Sequence, residues 1–373
     1  MQNKSKLRLG VVAAFAVAVV TLGVSAPAYA DPTPPGSFKP LVGVGSDTTE
    51  NLVNGLGTVV TNIGSYDATG STTIQVRSGG ATFNRPNGSG NGQKALTASI
   101  NPNGNDKWPA GTGADITGQV DFARSSSAPS GSLPGTQLTF VPFARDAVSF
   151  AVSAASDFPR DIALGSAGQD SISPAPFTLR NIYRGTVTSY TDAGFNSVTI
   201  RPLLPQTGSG TRSFWIGQLG LNEGQITAGG VATDLGNTVQ EHNGNFVTGA
   251  GDIVPFSVAQ FIQQGNYAAL PTAVVERRGN IQLGNIGTIK PYIPSTGGGV
   301  ELNASFPVTR LVFNVVSTAR LTGVSAADVQ LQQAFVGTTS QICAASATIK
   351  QYGFGTIGSL CGNTTTYKQG YSF

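Results

Sequence analysis

Apolar positions along the chain fall into short continuous runs and helically spaced sets, separated by glycine-rich polar turns. Pro40-Leu41-Val42-Gly43-Val44 reads as a strand that turns through Gly45-Ser46-Asp47 into a helix, where Leu52, Val53, Leu56, Val59 and Val60 recur at helical spacing. Asp47, with Glu50 three residues later, predicts the carboxylate variant of a capping box. The same device recurs twice. Thr73 to Val76 is a strand, and Arg85 to Leu96 holds Ser89 in a glycine turn just before a helix start. Val198-Thr199-Ile200 is a strand that leads through Leu204-Pro205-Gln206-Thr207-Gly208-Ser209-Gly210-Thr211 into an amphipathic helix through Phe214, Trp215 and Leu219. Trp215 and Phe214 are expected to pack into the core there.

Two longer apolar stretches stand apart. Leu138 to Val141 continues through Pro142-Phe143-Ala144 into Ala147 to Val152, and Phe306 to Val316 is a second buried run. They read as the outward and return crossings between two lobes. Strands alternating with helices predict α/β organisation. Phe177 to Gly185 reads as a short capped helix, and Ser325 with Asp328 as the cap of a helix through Val329 and Phe335. A lobe assembled from two separated segments implies a two-strand hinge, with the site in the cleft between lobes. The expected division is 39–143 plus 307–373 for lobe one and 144–306 for lobe two.

The N-terminus changes the picture of location. Lys4, Lys6 and Arg8 precede an apolar core from Val11 to Val24, and Ala28-Tyr29-Ala30 has the form of a cleavage site. Residues 1–30 are therefore read as a signal peptide and the Pro-rich residues 31–38 as an extended tether. The apolar core is too short for a convincing membrane span, and no lipoprotein Cys follows the cleavage site. The expectation is a secreted, extracellular protein, wall-associated at most by non-covalent contact, not membrane-spanning, and monomeric.

Composition then removes several classes. The formal net charge is +3, and the three basic residues of the signal segment account for it, so no nucleic-acid partner is indicated. Only 11% of residues are charged and 49 are glycine, which leaves solubility to Ser, Thr, Asn and Gln. Cys343 and Cys361 are the only cysteines, and in an oxidising compartment they suit one disulfide. Two Cys and one His without clustered spacing give no metal site, and no cofactor is expected.

The chemistry is concentrated at the helix starts. Ser209 and Thr211 place hydroxyls beside the unpaired N–H groups of a first helical turn, an arrangement that can hold an oxyanion or simply cap the helix. Gly208-Ser209-Gly210 lacks the spacing of a nucleophile elbow and the Lys of a nucleotide P-loop. His242, in the polar turn Gln240 to Gly244, is expected to be solvated or locally hydrogen-bonded rather than catalytic. Glu241 and Asp252 have no spacing that pairs them. Arg145 and Arg310 lie in the two crossings, with a structural salt bridge to Asp146 or another acid as the expectation.

In their order, Gly43-Val44-Gly45-Ser46-Asp47-Thr48, Ser89-Gly90-Asn91-Gly92, Val120-Asp121-Phe122-Ala123, Val141 to Val148 and Gly208-Ser209-Gly210-Thr211 resemble the phosphate-binding proteins of ABC importers. Phe177 to Gly185 and Gly251 to Phe261 are similar to two further landmarks, so the resemblance spans most of residues 31–373. Ser46-Asp47-Thr48-Thr49 and Glu241-His242-Asn243-Gly244 look most like the secreted actinobacterial branch. The resemblance implies a two-lobed type II solute-binding fold, each lobe a mixed sheet flanked by helices. It implies capture of inorganic phosphate or a related oxyanion, without catalysis, for handing to an ABC permease. By position, Asp47 and Thr48 match the first contact, Ser89 the second, and Ser209, Gly210 and Thr211 the third.

Two departures accompany it. The family's Asp after Val-Asp-Phe, which accepts from a protonated anion, is replaced by the neighbourhood Arg124-Ser125-Ser126-Ser127, and the family's Arg before Gly-Ser-Gly-Thr is missing near Pro205-Gln206. Arg124, Ser125 and Arg212 become the replacement candidates for the site, and Asp47 is read first as an N-cap and second as the lost acceptor. The alternatives carried alongside are a secreted surface or wall protein that keeps the fold without transport, and a weak phosphoesterase.

Overall fold

The structure is a computed structural model that describes residues 31–32, 36–296 and 298–373. The expected signal peptide and residues 33–35 of the expected tether lie outside the described residues. Asp31, at the head of that tether, is fastened rather than free: the Arg85 guanidinium donates to both of its carboxylate oxygens at 2.7 and 2.8 Å. Among the described residues no helix is long and apolar enough to cross a membrane.

Nine strands form one connected sheet. They are β1 (Leu41–Gly45), β2 (Ile63–Ser65), β3 (Phe122–Ser125), β4 (Leu138–Ser153), β5 (Arg201–Pro202), β6 (Asp252–Ser257), β7 (Ile281–Leu283), β8 (Thr309–Ser317) and β9 (Lys368–Gln369). The order across the main path is β5-β6-β4-β8-β3-β1-β2, with β7 and β9 also paired to β4. β1 runs parallel to both β2 and β3, and every one of its residues is buried, as a strand covered on both faces requires.

β4 is the strand that joins the two halves. Its first part, Leu138 to Ala147, pairs antiparallel with β8, and its second part, Val148 to Val152, pairs with β6. The register against β8 slips between Val312 and Phe313, where Pro142 faces Phe313. Proline cannot donate to a ladder, so its place in a long central strand is at this irregularity.

The apolar cores follow the same division. One core is built from residues between Ala147 and Val308. Two others draw on residues 41–144 and 312–361, with Ala259 and Val274 reaching across to join one of them. The disulfide joins Cys343 and Cys361 beside that core.

Three helices start at the edge of the site: α1 (Glu50–Val59), α2 (Ser89–Ile100) and α3 (Gly210–Gln218). α4 (Val258–Gly265) follows β6 directly, and α5 (Ala326–Phe335) is capped by Ser325, whose hydroxyl accepts from Asp328 N. The expected capping box at α1 does not form. Thr49 is the N-cap residue with no side-chain cap bond, because the Glu50 carboxylate instead accepts from Ala68 N at 2.8 Å and Asp47 turns inward. Val59, expected in the core, is 58% exposed at the last position of the helix. Trp215 is fully buried and meets Tyr183 edge-on at 5.9 Å.

Candidate functional site

The strand–turn–helix units bring their turns to one place. Gly45 leaves β1 with φ of +116°, a region that disfavours any other residue, and so aims Ser46 to Thr48 back across the strand ends. Ser46 Oγ donates to Ser126 Oγ at 3.2 Å, and Ser89 Oγ accepts from Ser126 N at 3.0 Å. The start of α3 packs on the same point. A Cβ on Gly210 would lie 2.5 Å from Ser126 Oγ and 2.6 Å from Ser89 Oγ, so only glycine fits there. Gly90 N also donates to Gly208 O at 3.3 Å.

At the centre is a carboxylate. Glu241 is fully buried. Its Oε1 accepts from Thr48 Oγ1 at 2.7 Å and Thr211 Oγ1 at 2.9 Å, and its Oε2 accepts from Ser209 Oγ at 3.0 Å. Ser209 Oγ in turn accepts from the N–H groups of Thr211 and Arg212 at 3.1 and 3.2 Å, capping α3. Arg310 Nη2 donates to Thr211 Oγ1 at 2.7 Å, to Thr48 Oγ1 at 3.3 Å and to Asp146 Oδ2 at 2.9 Å. Asp146 is further held by Ser257 Oγ and by Ala259 N at the start of α4. Gln260 Nε2 fixes the turn, donating to the carbonyls of Asp47 and Thr48 at 2.9 Å each.

Asp47 and His242 form the far wall. Asp47 Oδ1 accepts from Thr48 N at 3.1 Å, while its Oδ2 lies 3.4 Å from His242 Nδ1. Arg277 Nη1 donates to His242 Nε2 at 3.1 Å. An arginine can only donate, so Nε2 is the acceptor and the ring proton sits on Nδ1, facing Asp47. Burial, reinforced by Arg277, pushes the His242 imidazole down to about 4. Burial, with Asp47 next to it, pushes the Glu241 carboxyl up to about 7, against the pull of Arg310 and His242.

The expected site residues thus divide. Thr48, Ser209 and Thr211 converge on one carboxylate, with Gly210, Ser89 and Asp47 around them. Ser125 does not reach it: its hydroxyl closes a local turn with Ser127 O at 2.8 Å. Arg124 is not a site cation. It is fully buried behind β1, donating to Ser46 O at 3.0 Å, Ser65 Oγ at 2.9 Å and the carbonyls of Gly43 and Gly45. Arg212 points outward, held by Glu223 at 2.8 and 2.9 Å and by Asp234 at 3.1 Å. Asp47 is a wall of the cluster rather than a cap. His242 is buried, not solvated, and the Arg310–Asp146 salt bridge is present. Among the described residues no group of three or more His, Cys, Asp and Glu could hold a metal ion.

A model of the PBP superfamily domain matches residues 30–270, well over half of the chain. The chain belongs to the PBP superfamily. No curated protein matches it. Among solved structures, this PBP-superfamily chain is similar to a protein of Clostridium perfringens assigned to the substrate-binding proteins of phosphate ABC transporters and solved with bound phosphate. That match has 13% identity, covers 85% of this chain and 99% of that one, and has a TM-score of 0.51. An ABC-type phosphate transport receptor from Vibrio cholerae shares 14% identity over 85% of this chain and 100% of its own, with a TM-score of 0.49. At such identities the likeness to the first shows the fold: two-lobed, with mixed α/β layers.

Glu241 and Arg310 are the site residues that sequence reasoning missed as such. Glu241 lies 193 residues from Thr48, and Arg310 lies 262 residues from it. The Glu241-His242 pair, in a chain with a single His, was the one local signal. For Arg310, the acidic neighbour on the opposite crossing was the signal, since β4 and β8 place Arg310 directly across from Asp146.

Proposed function

We propose that this PBP-superfamily protein is an exported solute-binding protein that captures phosphate or a similar tetrahedral oxyanion between its two lobes. The observation that carries this reading is the convergence of Thr48, Ser209 and Thr211 hydroxyls, ordered by Arg310, on a single carboxylate. A carboxylate is itself an oxyanion, so these donors are already set at oxyanion distances. They come from the start of α3 and from the turn entering α1, where helix dipoles favour negative charge. The names of the two solved relatives point to phosphate as the first anion to try.

In this reading lobe one is 39–143 plus 307–373 and lobe two is 144–306. Thr48 and Ser89 belong to the first, and Ser209, Gly210, Thr211 and Glu241 to the second. Closure is a hinge motion about β4 and β8. The site binds rather than reacts, because the hydroxyls donate to Glu241 while the imidazole of His242 is turned to Asp47 and Arg277. In this reading the signal-peptide pattern of residues 1–30 supports export, and the resemblance to the phosphate-binding proteins of ABC importers supports delivery to an ABC permease. A second reading, a surface protein that keeps the fold without transport, is favoured by one observation: Glu241 already engages the donors.

Calorimetric titration with phosphate, sulfate and arsenate tests the reading. Saturable binding that weakens by about tenfold in Ser209→Ala or Thr211→Ala, the loss of one charge-assisted hydrogen bond, supports capture. Absence of binding for all three anions favours the second reading.

A further inference from the structure

The donors at the centre of the site are committed to a group of the chain's own. Each hydroxyl has one proton, and those of Thr48, Thr211 and Ser209 all go to Glu241. Lone pairs of Thr48 and Thr211 are taken by Arg310 Nη2. A diffusible oxyanion only accepts, so it cannot be served by these hydroxyls until the Glu241 oxygens release them.

The same carboxylate is also a tie between separate parts of the molecule. Thr48 stands on the turn between β1 and α1, whereas Ser209 and Thr211 stand at the start of α3. The main chain around Glu241 is anchored independently, since its carbonyl accepts from Ser257 N at 3.2 Å and the next carbonyl, of His242, accepts from Gln264 Nε2 at 2.8 Å. Releasing the hydroxyls therefore needs only the Glu241 side chain to move. The geometry points to Glu241 as a built-in occupant of the oxyanion seat: its carboxylate latches the two lobes through three hydroxyls, and an incoming tetrahedral oxyanion binds by displacing it. The displacement half rests on the oxyanion reading above. The latch half stands on the hydrogen bonds alone.

Charge sets the direction of the switch. The groups facing Glu241 are Asp47, Arg310 and His242, with Asp146 on the far side of Arg310 and Arg277 on the far side of His242. Arg310 is already matched by Asp146, so an ionised Glu241 beside Asp47 opposes a second anion at the same point. Burial and Asp47 lift Glu241 to about 7, so acidification neutralises the occupant and eases its displacement. Arg310 Nη1, buried and without a partner among the described residues, is a donor that the carboxylate does not use.

The test compares the wild-type protein, Glu241→Gln and Glu241→Ala by two readouts, after circular dichroism has shown both variants folded. The first is calorimetry with sulfate, which keeps its double charge between about pH 5.5 and about pH 8.5, and with inorganic phosphate. Sulfate is expected to bind Glu241→Gln about tenfold tighter than wild type at the alkaline end. The wild type is expected to tighten by up to about thirtyfold on acidification, a trend absent from Glu241→Gln. The second readout is amide exchange without added anion, which is expected to quicken in Glu241→Ala across 88–92 and 209–213, where Gly90 N meets Gly208 O.

Equal or weaker anion binding in both variants overturns displacement and makes Glu241 a partner that stays with the ligand. Unchanged exchange overturns the latch. Faster exchange, with no sulfate or phosphate bound by any of the three proteins at millimolar concentration, upholds the latch and overturns both displacement and the oxyanion reading.

Discussion

Arg124 and Arg310 are both buried arginines of the central sheet, and they do different work. Arg124 lies behind β1 with its guanidinium walled in by backbone carbonyls and Ser65 Oγ. Burial pushes its pKa below the usual value, against the opposing charges of Glu50 and Asp67. Arg310, on β8 and matched by Asp146, still directs Nη2 to two hydroxyls that serve Glu241. A guanidinium whose donors end on main chain fixes a turn. One whose donors end on hydroxyls orders the side chains that meet Glu241. The difference lies in the acceptors and not in burial, since the two are 0% and 6% exposed.

The largest expected effect breaks the comparison on the structural side. Arg124→Met leaves Glu50 without its main countercharge and removes the guanidinium donors from the carbonyls of Gly45 and Ser46, while Gly43 O keeps Tyr66 N. Removing one partner of a buried charge network costs about 3–5 kcal/mol. Urea unfolding of Arg124→Met should register a loss of that size. A loss below about 1 kcal/mol, the scale of an exposed ion pair, would mean that Arg124 is not the brace its contacts describe.

This contrast also measures what the sequence could reveal. The turn–helix units at Ser46, Ser89 and Ser209 are legible because glycine turns and helical apolar spacing are local signals, though only Ser209 caps its helix through its hydroxyl. The crossings are legible because long apolar runs must be buried. Arg124 and Arg310, by contrast, each sit in a β-run among small and apolar residues, and nothing within a few positions tells a carbonyl wall from a hydroxyl cluster. Arg124 and Arg212 stand beside the family pattern in sequence, yet neither side chain reaches Glu241. The antiparallel register of β4 and β8 instead delivers Arg310 to the site, and register is a tertiary fact. Glu241 was hidden for the same reason: the residues it meets stand far from it in the chain.

Titration sharpens the comparison next, because the cluster around Glu241 holds two groups that shift in opposite senses. His242 is lowered from 6.5 to about 4, so its contribution to stability is present above 6.5 and is lost as pH falls through 4. Glu241 is raised from 4.5 to about 7, so its contribution is present below 4.5 and is lost as pH rises through 7. Between roughly 4.5 and 6.5 the two slopes oppose each other. His242→Gln removes one of them, and its stability relative to wild type should improve by about 3 kcal/mol on going from neutral pH to about pH 4. Urea unfolding of both proteins across that range checks this. Parallel curves would show that His242 does not titrate against the fold.

The functional side of the comparison is tested by Arg310→Lys. Lysine keeps a positive charge beside Asp146 but cannot reach Asp146, Thr48 and Thr211 together, as the planar guanidinium does. The expected outcome is oxyanion affinity weakened by about tenfold, or about 1.4 kcal/mol, with a smaller change in unfolding free energy. Arg124→Lys should reverse that ranking, affecting stability more than affinity. If both variants lose stability and affinity in the same proportion, the two arginines share one role and the distinction fails.

The smallest effect concerns how Arg310 is aimed. Phe214, half-buried on the first turns of α3, lies under the Arg310 guanidinium, with the ring centroid 5.4 Å from Cζ. The sequence reading places Phe214 in the core. It does pack at the edge of one, but its face is turned to the cation. A cation over an aromatic face at a partly exposed position is worth about 0.5–1 kcal/mol. Phe214→Leu keeps most of the apolar contact and removes the π face. Oxyanion affinity should therefore weaken by about threefold, with unfolding free energy changed by less than about 1 kcal/mol. Phe214→Tyr keeps the face and should bind as wild type does. A threefold loss in the leucine variant that tyrosine does not share assigns the effect to the ring's charge distribution; equal losses in both would assign it to packing of α3 and leave Arg310 aimed by Asp146 alone.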